Sequence, residues 1–358
     1  MHRGSIVVAV PARDEAERIA ACLLALARQT CRPQTVLVLA NNCSDGTATI
    51  ASGMRSALPY RLHVERHWLP EQQAHAGQAR RLAMALSERL VRRDGVLLTT
   101  DADAVVAPDW IERNCQAITA GADVVCGRVA LDPLEVGLIP ARLHADDALE
   151  GRLIELLDRI ADRLDPDLAD PFPRHTEAAG ASLAVTTAAF RRVGGIPAVR
   201  SGEDRAFVSS LARMDARIRH DPSVLVSVSG RTVGRAPGGM ADTIRRRIQR
   251  QDEFTDDRVE PAIDGYRRYD FRRRVRQAWR KQLLPPKLAI DLGISPHVLA
   301  RTIVEPYFGN AWAYIEAASP FLTRRRVRFS ELSRQIAHAL YLLEHDSETD
   351  LVCDSGAS

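Results

Sequence analysis

The chain alternates short runs of apolar and β-branched residues with longer stretches whose apolar positions recur every three or four residues. "SIVVAV" (5–10), "TVLVLA" (35–40), "GVLLTT" (95–100) and "ADVVCGRVAL" (122–131) read as buried strands, and "RLHVER" (61–66) alternates as a shorter one. Between the first two, the stretch "DEAERIAACLLALARQ" carries Ile19, Leu23 and Leu26 on one helical face, with Asp14, Glu15 and Glu17 expected in its first turn, where the helix dipole favours negative charge. "HAGQARRLAMALSERLVRR" spaces Leu82, Leu86 and Leu90 by four, and "PDWIERNCQAITAG" opens on Pro108, suited to a first helical turn. Strands alternating with amphipathic helices predict an α/β fold with a Rossmann-like, mostly parallel sheet flanked by helices.

Further on, "LHADDALEGRLIELLDRIADRL" (143–164) reads as one long amphipathic helix, followed by the Pro-rich loop "DPDLADPFPRHTEAAG". Strand "ASLAV", helices "TTAAFRRVGG" and "EDRAFVSSLARM", and two strands, "ARIRH" and "SVLVSVS", complete the α/β unit near residue 230. After the glycine-rich "GRTVGRAPGGMAD" the pattern is helical and rich in arginine. The division that follows is a catalytic-type α/β domain over 1–238, a helical extension over 239–343 and a polar tail over 344–358 expected to be disordered. In the extension, "FRRRVRQAWRKQLL" and "RRRVRFSELSRQIAHALYLLE" are amphipathic with arginine flanks, which suits either packing on the first domain or peripheral contact with an anionic membrane.

Length agrees with that division: 358 residues exceed the size, about 250–300 residues, at which a single core stops growing. A net charge of +3 is too small to argue for nucleic acid as a partner. Lys281 and Lys287 are the only lysines, so arginine runs reflect a general preference and say little about binding. The six cysteines (Cys22, Cys31, Cys43, Cys115, Cys126, Cys353) form no C-x-x-C pair and lack histidines at zinc spacing. Reduced thiols in a soluble, cytoplasmic protein are expected, since no segment approaches the ~18 apolar residues of a membrane span.

Ligands of open α/β sheets collect at the carboxyl ends of strands, and here those ends carry "PARDE", "NNCSDGT" and "DAD". Asp101 and Asp103, separated by Ala102, end a strand that reads as buried on both faces. Burying a charge costs several kcal/mol unless something neutralises it. A solvated turn capping the helix at Pro108 would suit the pair; so would Mg²⁺ or Mn²⁺ shared with a diphosphate, since hard cations take oxygen ligands. Three polar clusters at neighbouring strand ends favour the second.

In order along the chain, "VVAVPARDEAERIAACLLALARQ", "VLVLANNCSDGTATIA", "TTDADAVVAPDW" and "GEDRAFV" resemble the landmarks of family 2 glycosyltransferases of the GT-A fold, over roughly residues 5–235. The likeness is greatest to a bacterial branch whose second strand ends in "NNCSDGT". The resemblance implies that Pro11, Ala12, Arg13 and Glu15 lie under a nucleotide base, and that Asn41 and Asn42 replace the acidic residue that usually accepts the base edge. It implies that Gly77 lies near the donor nucleotide, with Arg80 or Arg81 at ribose or phosphate. It further implies that Asp101, Ala102 and Asp103 form the D-x-D element, with Asp103 the firmer metal ligand and Asp101 shared between metal and ribose. Asp204 would be the general base, with Glu203 second, although both also suit capping of their helix. Relatives often place a third ligand, commonly histidine, after the strand that follows; here Ser227 and Ser229 stand there, with Arg231 or Arg235 adding positive charge.

By the same resemblance the donor is a UDP- or GDP-linked sugar, the cofactor Mg²⁺ or Mn²⁺, the outcome inverting, and the group moved a hexosyl. The hydroxyl acceptor is not identified by the residues; His144, Arg174 and His175 are its candidate contacts. Two other readings fit parts of the pattern. A non-catalytic nucleotide-sugar-binding or assembly subunit would tolerate the missing third ligand. A sugar nucleotidyltransferase would need a basic, glycine-rich loop after strand one, where this chain has the acidic "PARDEAER".

Overall fold

Residues 4–91, 94–231, 240–249 and 252–345 are described by a computed structural model of the chain. Its main elements in chain order begin β1 (Ser5–Ala12), α1 (Ile19–Ala27), β2 (Thr35–Asn41), α2 (Thr47–Gly53), β3 (Arg61–His67), α3 (Ala76–Arg89) and β4 (Gly95–Thr99). There follow β5 (Val105–Val106), α4 (Trp110–Thr119), β6 (Val124–Leu131), α5 (Ala141–Leu164), β7 (Leu183–Thr186), α6 (Thr187–Arg192), α7 (Glu203–Arg213) and β8 (Ile218–Val228). The remainder is helical: α8 (Met240–Gln249), α9 (Ala262–Lys281), α10 (Pro286–Asp291), α11 (Pro296–Ile303), α12 (Phe308–Ala318) and α13 (Leu332–His345).

The eight strands form one mixed sheet in the order β3-β2-β1-β4-β7-β6-β8-β5. Neighbours from β3 to β4 run parallel, β7 is antiparallel to both β4 and β6, and β6 pairs parallel with β8. Alternate residues of the central strands feed two separate cores. Val8, Val10, Val36, Val38, Val96 and Leu98 pack with Ile19, Leu23 and Leu26 of α1 and with Trp110 of α4. Val7, Ala9, Leu37, Leu39 and Leu97 pack on the other face with Met84 of α3 and Phe207 and Leu211 of α7. The α/β architecture, mostly parallel sheet and helical C-terminal third match what the periodicity predicts.

Two local expectations are corrected. Helix α1 begins only at Ile19, so Asp14, Glu15 and Glu17 lie in the turn before it and not in its first turn. Asp14 takes a left-handed backbone (φ 53°) and its carboxylate accepts hydrogen bonds from the Ser44 and Asp45 amides, while the Glu15 carbonyl accepts from Arg18 and Ile19. The strands expected at "ARIRH" and "SVLVSVS" are one strand, β8, whose register with β6 shifts at Gly127/Arg128; the Asp221-Pro222 step is absorbed as an irregularity and does not end the strand.

Packing divides the chain into two units, one built from residues up to 140 together with 168–249, the other from 141–167 together with residues from 250 onward. Helix α5 belongs to the second because Leu153, Leu156 and Ile160 share a core with Val259, Ala262, Leu332 and Ala339. Ion pairs tie the same elements: Asp165, just past α5, accepts from Arg272 and Arg276 of α9. Both amphipathic C-terminal stretches contribute to cores within this unit, Val275 and Ala278 to one and Leu332 and Ala339 to another, while Leu283, Leu284 and Tyr341 stay exposed. Among the described residues no helix is long and apolar enough to cross a membrane. Of the tail expected to be disordered from 344, Glu344 and His345 still belong to α13, and the rest lies outside the described residues.

Candidate functional site

Strand β4 is buried along its whole length and hands over to Asp101 through Thr100, whose amide still bonds the Ala9 carbonyl of β1 (3.2 Å). The D-x-D carboxylates then find different counter-ions. Asp101 accepts from Arg80 of α3 at 2.6 Å, and Asp103 lies 3.0 Å from Arg231, just beyond β8. Ala102 between them is buried. Burial, reinforced by the neighbouring charge of Asp101 and opposed by Arg231, pushes the Asp103 carboxyl up to about 6. This pocket holds more negative charge than its arginine neutralises.

Arg80 is buried, and protein acceptors occupy its guanidinium on every side. Nε donates to Glu203 at 3.0 Å, Nη2 to Asp101, and Nη1 to the Thr99 hydroxyl (3.0 Å) and the Gly180 carbonyl (2.8 Å). A Cβ at Gly180 would sit 2.5 Å from the guanidinium, so a side chain here would displace Arg80 from its partners. The Gly180 amide donates to Asp204 Oδ2 at 2.9 Å, while Asp204 Oδ1 accepts from the Arg205 amide at 2.7 Å. Arg80 therefore links the end of β4, the 180 turn and the start of α7, and brings Asp101, Glu203 and Asp204 into one hydrogen-bonded cluster. Gly77, at the start of α3, gives close approach to the backbone of the α7 approach segment: a Cβ there would be 2.5 Å from the Val199 carbonyl.

At the ends of β1 and β2 the residues are equally committed. Pro11 and Ala12 close β1; Arg13 donates to the Ala74 carbonyl at 2.7 Å. Glu15 is buried, and its carboxylate receives both Nη groups of Arg231 at 2.9 and 2.5 Å. Arg231 thus joins Glu15 to Asp103. Asn42, at φ 50°, spends its side chain on the Leu69 backbone, donating at 2.9 Å and accepting at 3.0 Å. Asn41 is different: it is 1% exposed and its Oδ1 has no hydrogen-bond partner, an arrangement that native interiors avoid.

Two of the acceptor candidates have partners in the 170–177 loop. Arg174 donates to the Asp170 carbonyl at 2.7 Å and stacks over Phe172. His175 accepts from the Glu177 amide at 3.1 Å and meets His220 edge-on. His220 in turn bonds Asp170 at 2.7 Å; burial works against its charge, but the bonds to Asp170 and Cys126 hold it at about 10, whereas burial and the neighbouring His220 lower His175 to about 4. His144 lies on α5, in the second unit. Arg235 lies outside the described residues.

Two contributors carry no sequence signal of their own. Gly180 is an ordinary glycine in "EAAGASL". Glu135 holds the turn that presents Arg231, accepting from the Ser229 hydroxyl (3.0 Å), the Gly230 amide (2.6 Å) and Arg18 (2.7 Å). A hard divalent ion fits the D-x-D end in part. Asp101 and Asp103 each keep an oxygen outside the arginine contacts, but Ser227 and Ser229 supply no third charged ligand, so phosphate oxygens and water would complete the shell. Among the described residues the only three-membered cluster of metal-binding side chains is Asp14, Cys43 and Asp45, whose two carboxylates already accept from the 44–47 turn.

Residues 7–177, a little under half of the chain, match the family described as Glycosyl transferase family 2. Among solved structures, the chain is similar to the mannosyltransferase PcManGT of Pyrobaculum calidifontis, in complex with GDP-Man and Mn²⁺, at 16% identity and a TM-score of 0.46, covering 97% of this chain and 89% of that one. TarS 1-349 of S. aureus, in complex with UDP, aligns at 15% identity and a TM-score of 0.45 over 87% of this chain and 90% of that one. Glucosyl-3-phosphoglycerate synthase of Mycobacterium tuberculosis, with Mn²⁺, UDP and phosphoglyceric acid, aligns at 13% and 0.41 over 71% and 82%. At such low likeness the chain's own residues must carry the functional argument.

Proposed function

We propose that this chain is a glycosyltransferase that moves a hexosyl group from a UDP- or GDP-linked donor to a hydroxyl acceptor, with inversion at the anomeric carbon. The observation that carries the reading is the Arg80 cluster. It sets the D-x-D carboxylate Asp101 and Glu203 around one buried guanidinium, with Asp204 joined through the Gly180 amide; Arg80 and Asp101 lie within residues 7–177 that match family 2, and the Glu203-Asp204 pair lies beyond them. The "NNCSDGT" turn supports the bacterial branch of that family.

Asn41 Oδ1, buried and without a partner, suits an N–H of the donor base; uracil and guanine both offer one, which leaves the two donors to experiment. Asp103 and Asp101 would hold Mg²⁺ or Mn²⁺ together with the donor diphosphate, and the ion would stabilise charge gathering on the leaving group. Arg231, already beside Asp103, adds a fixed positive charge there. Glu203 is committed to Arg80, so its role is positioning. Asp204, steadied by two backbone amides, is the residue we assign to accept the proton of the acceptor hydroxyl, a contribution of about 10²- to 10⁴-fold.

Asp204→Asn tests this directly. The variant should bind UDP or GDP with Mn²⁺ as the wild type does and lose transfer from the matching donor. Undiminished transfer would remove Asp204 from the mechanism. Wild-type protein that binds no nucleoside diphosphate, or that releases pyrophosphate from a nucleoside triphosphate and sugar phosphate, would remove the whole reading.

A further inference from the structure

Within the second unit, five of the large apolar side chains that stay exposed come from the ends of α9 to α12. Leu283 and Leu284 follow the C-terminus of α9, Ile290 is on α10, Val304 follows α11 and Phe321 lies in the turn after α12; these five are between 51% and 74% exposed. The backbone joins them into two neighbouring groups. The Gln282 side chain donates to the Ile303 carbonyl at 3.0 Å, which sets the two leucines beside Val304. Gly293 donates to the Ile290 carbonyl at 2.9 Å and lies against Phe321, whose ring is 2.8 Å from where a Gly293 Cβ would stand; the Ser319 hydroxyl fixes that turn on the Leu292 carbonyl. The exposed pair Pro285-Pro286 and the first turn of α10 lie between the groups along the chain, Ile290 being the fifth residue of that helix. Leu288, Ala289 and Leu292 turn into the core, which leaves Ile290 and Lys287 outside.

The charge around these exposed residues is mostly positive, the half-buried Glu305 beside Val304, which accepts from the Asn310 side chain, being the exception. From Phe271 to Ile290 the chain contains no acidic residue, and Arg280, Lys281 and Lys287 are all exposed. The acidic residues bracketing the segment, Asp270 and Asp291, are paired with Arg273 and Arg274. Lysine is informative in this chain because Lys281 and Lys287 are its only two, and they bracket the exposed Leu-Leu-Pro-Pro step. Protein interfaces are depleted of lysine, whereas a bilayer surface accommodates it: the alkyl stem lies along apolar groups and the ammonium reaches lipid phosphate.

We propose that this strip, from Val304 through Leu283-Leu284 to Ile290 and Phe321, is a peripheral docking surface for an anionic lipid bilayer. The leucines, isoleucine and phenylalanine enter the headgroup region, and Arg280, Lys281 and Lys287 meet lipid phosphates. The contact belongs to loops and helix ends, not to α9, whose Val275 and Ala278 are buried in a core. It does not depend on the reaction proposed above.

Co-sedimentation of the full-length protein with vesicles tests it, using phosphatidylcholine alone and phosphatidylcholine with about one third phosphatidylglycerol. The wild type should pellet with the anionic vesicles, weakly with the neutral ones, and less as salt rises. Leu283→Ser with Leu284→Ser should weaken binding more than about ten-fold, and Lys281→Gln with Lys287→Gln about five-fold per charge. Ile290→Asn with Phe321→Ser reads the other end independently, and only variants with wild-type circular dichroism are compared. Wild type that stays in solution, or folded variants that bind like wild type, would overturn the proposal. So would a concentration-dependent dimer in sedimentation velocity that the leucine variant abolishes, because a second copy would then cover the strip.

Discussion

Replacing Arg80 by methionine separates the contribution of its contacts. The Arg80–Glu203 pair is enclosed, with side chains 7% and 8% exposed, whereas Asp101 is 36% exposed and solvent screens much of its attraction. The cost should therefore come mainly from Glu203, left as a buried carboxylate without a counter-ion, at about 3–5 kcal/mol. With a urea dependence of ~2 kcal/mol per molar, that lowers the unfolding midpoint of the first unit by about 2 M. Arg80→Lys keeps the charge but cannot reach Glu203, Asp101, Thr99 and Gly180 together, and should fall between. The decisive measurement is the double variant Arg80→Met/Glu203→Gln. Removing the stranded charge should make it more stable than Arg80→Met alone by about 1–3 kcal/mol. Single effects that simply add would show that the pair is not coupled, and the account of this cluster would fail.

Arg231→Gln leaves Glu15 and Asp103 facing each other, so the variant should melt lower in chelator and recover when Mn²⁺ is added; no response to Mn²⁺ would argue against a cation site at Asp103. Gly77→Ala forces a methyl against the Val199 carbonyl and should destabilise by about 1–3 kcal/mol, while Gly53→Ala, at a helix position with nothing within 4 Å, should be neutral or stabilising; equal effects on melting would refute the packing argument. The two histidines near Asp170 act in opposite directions with pH. His220, raised to about 10 from the usual 6.5, stabilises fully below 6.5 and loses that contribution as pH rises towards 10. His175, lowered to about 4, is neutral in the fold and penalises folding as pH falls from 6.5 towards 4. Melting temperature against pH should decline on both sides, and His220→Gln should flatten the alkaline limb and, by removing the charge that lowers His175, also soften the acid limb.

Local pattern made the architecture legible. Alternating apolar strands and 3.6-residue helices follow from which side chains meet water, and each is written within a dozen consecutive residues. The D-x-D step at a strand end and the Glu-Asp pair at a helix start were readable in the same way. Other features were not. The "DEAER" segment has the composition of a helix start, but Asp14 is drawn to the 44–45 amides and Glu15 to Arg231, so the helix begins later. Lys281 and Lys287 were visible as a compositional oddity; that the apolar residues beside them face outward was not.

By itself, the sequence determined the α/β class, the helical C-terminal third and the strand-end carboxylates around which a site could form. Tertiary structure alone decided how those carboxylates are neutralised: Arg80 meets Glu203 across 123 residues of chain, and Arg231 meets Glu15 across 216. Secondary structure depends on near neighbours and leaves a period in the sequence. An ion pair depends on which buried charges the closed fold brings within about 3 Å, and no spacing along the chain records that.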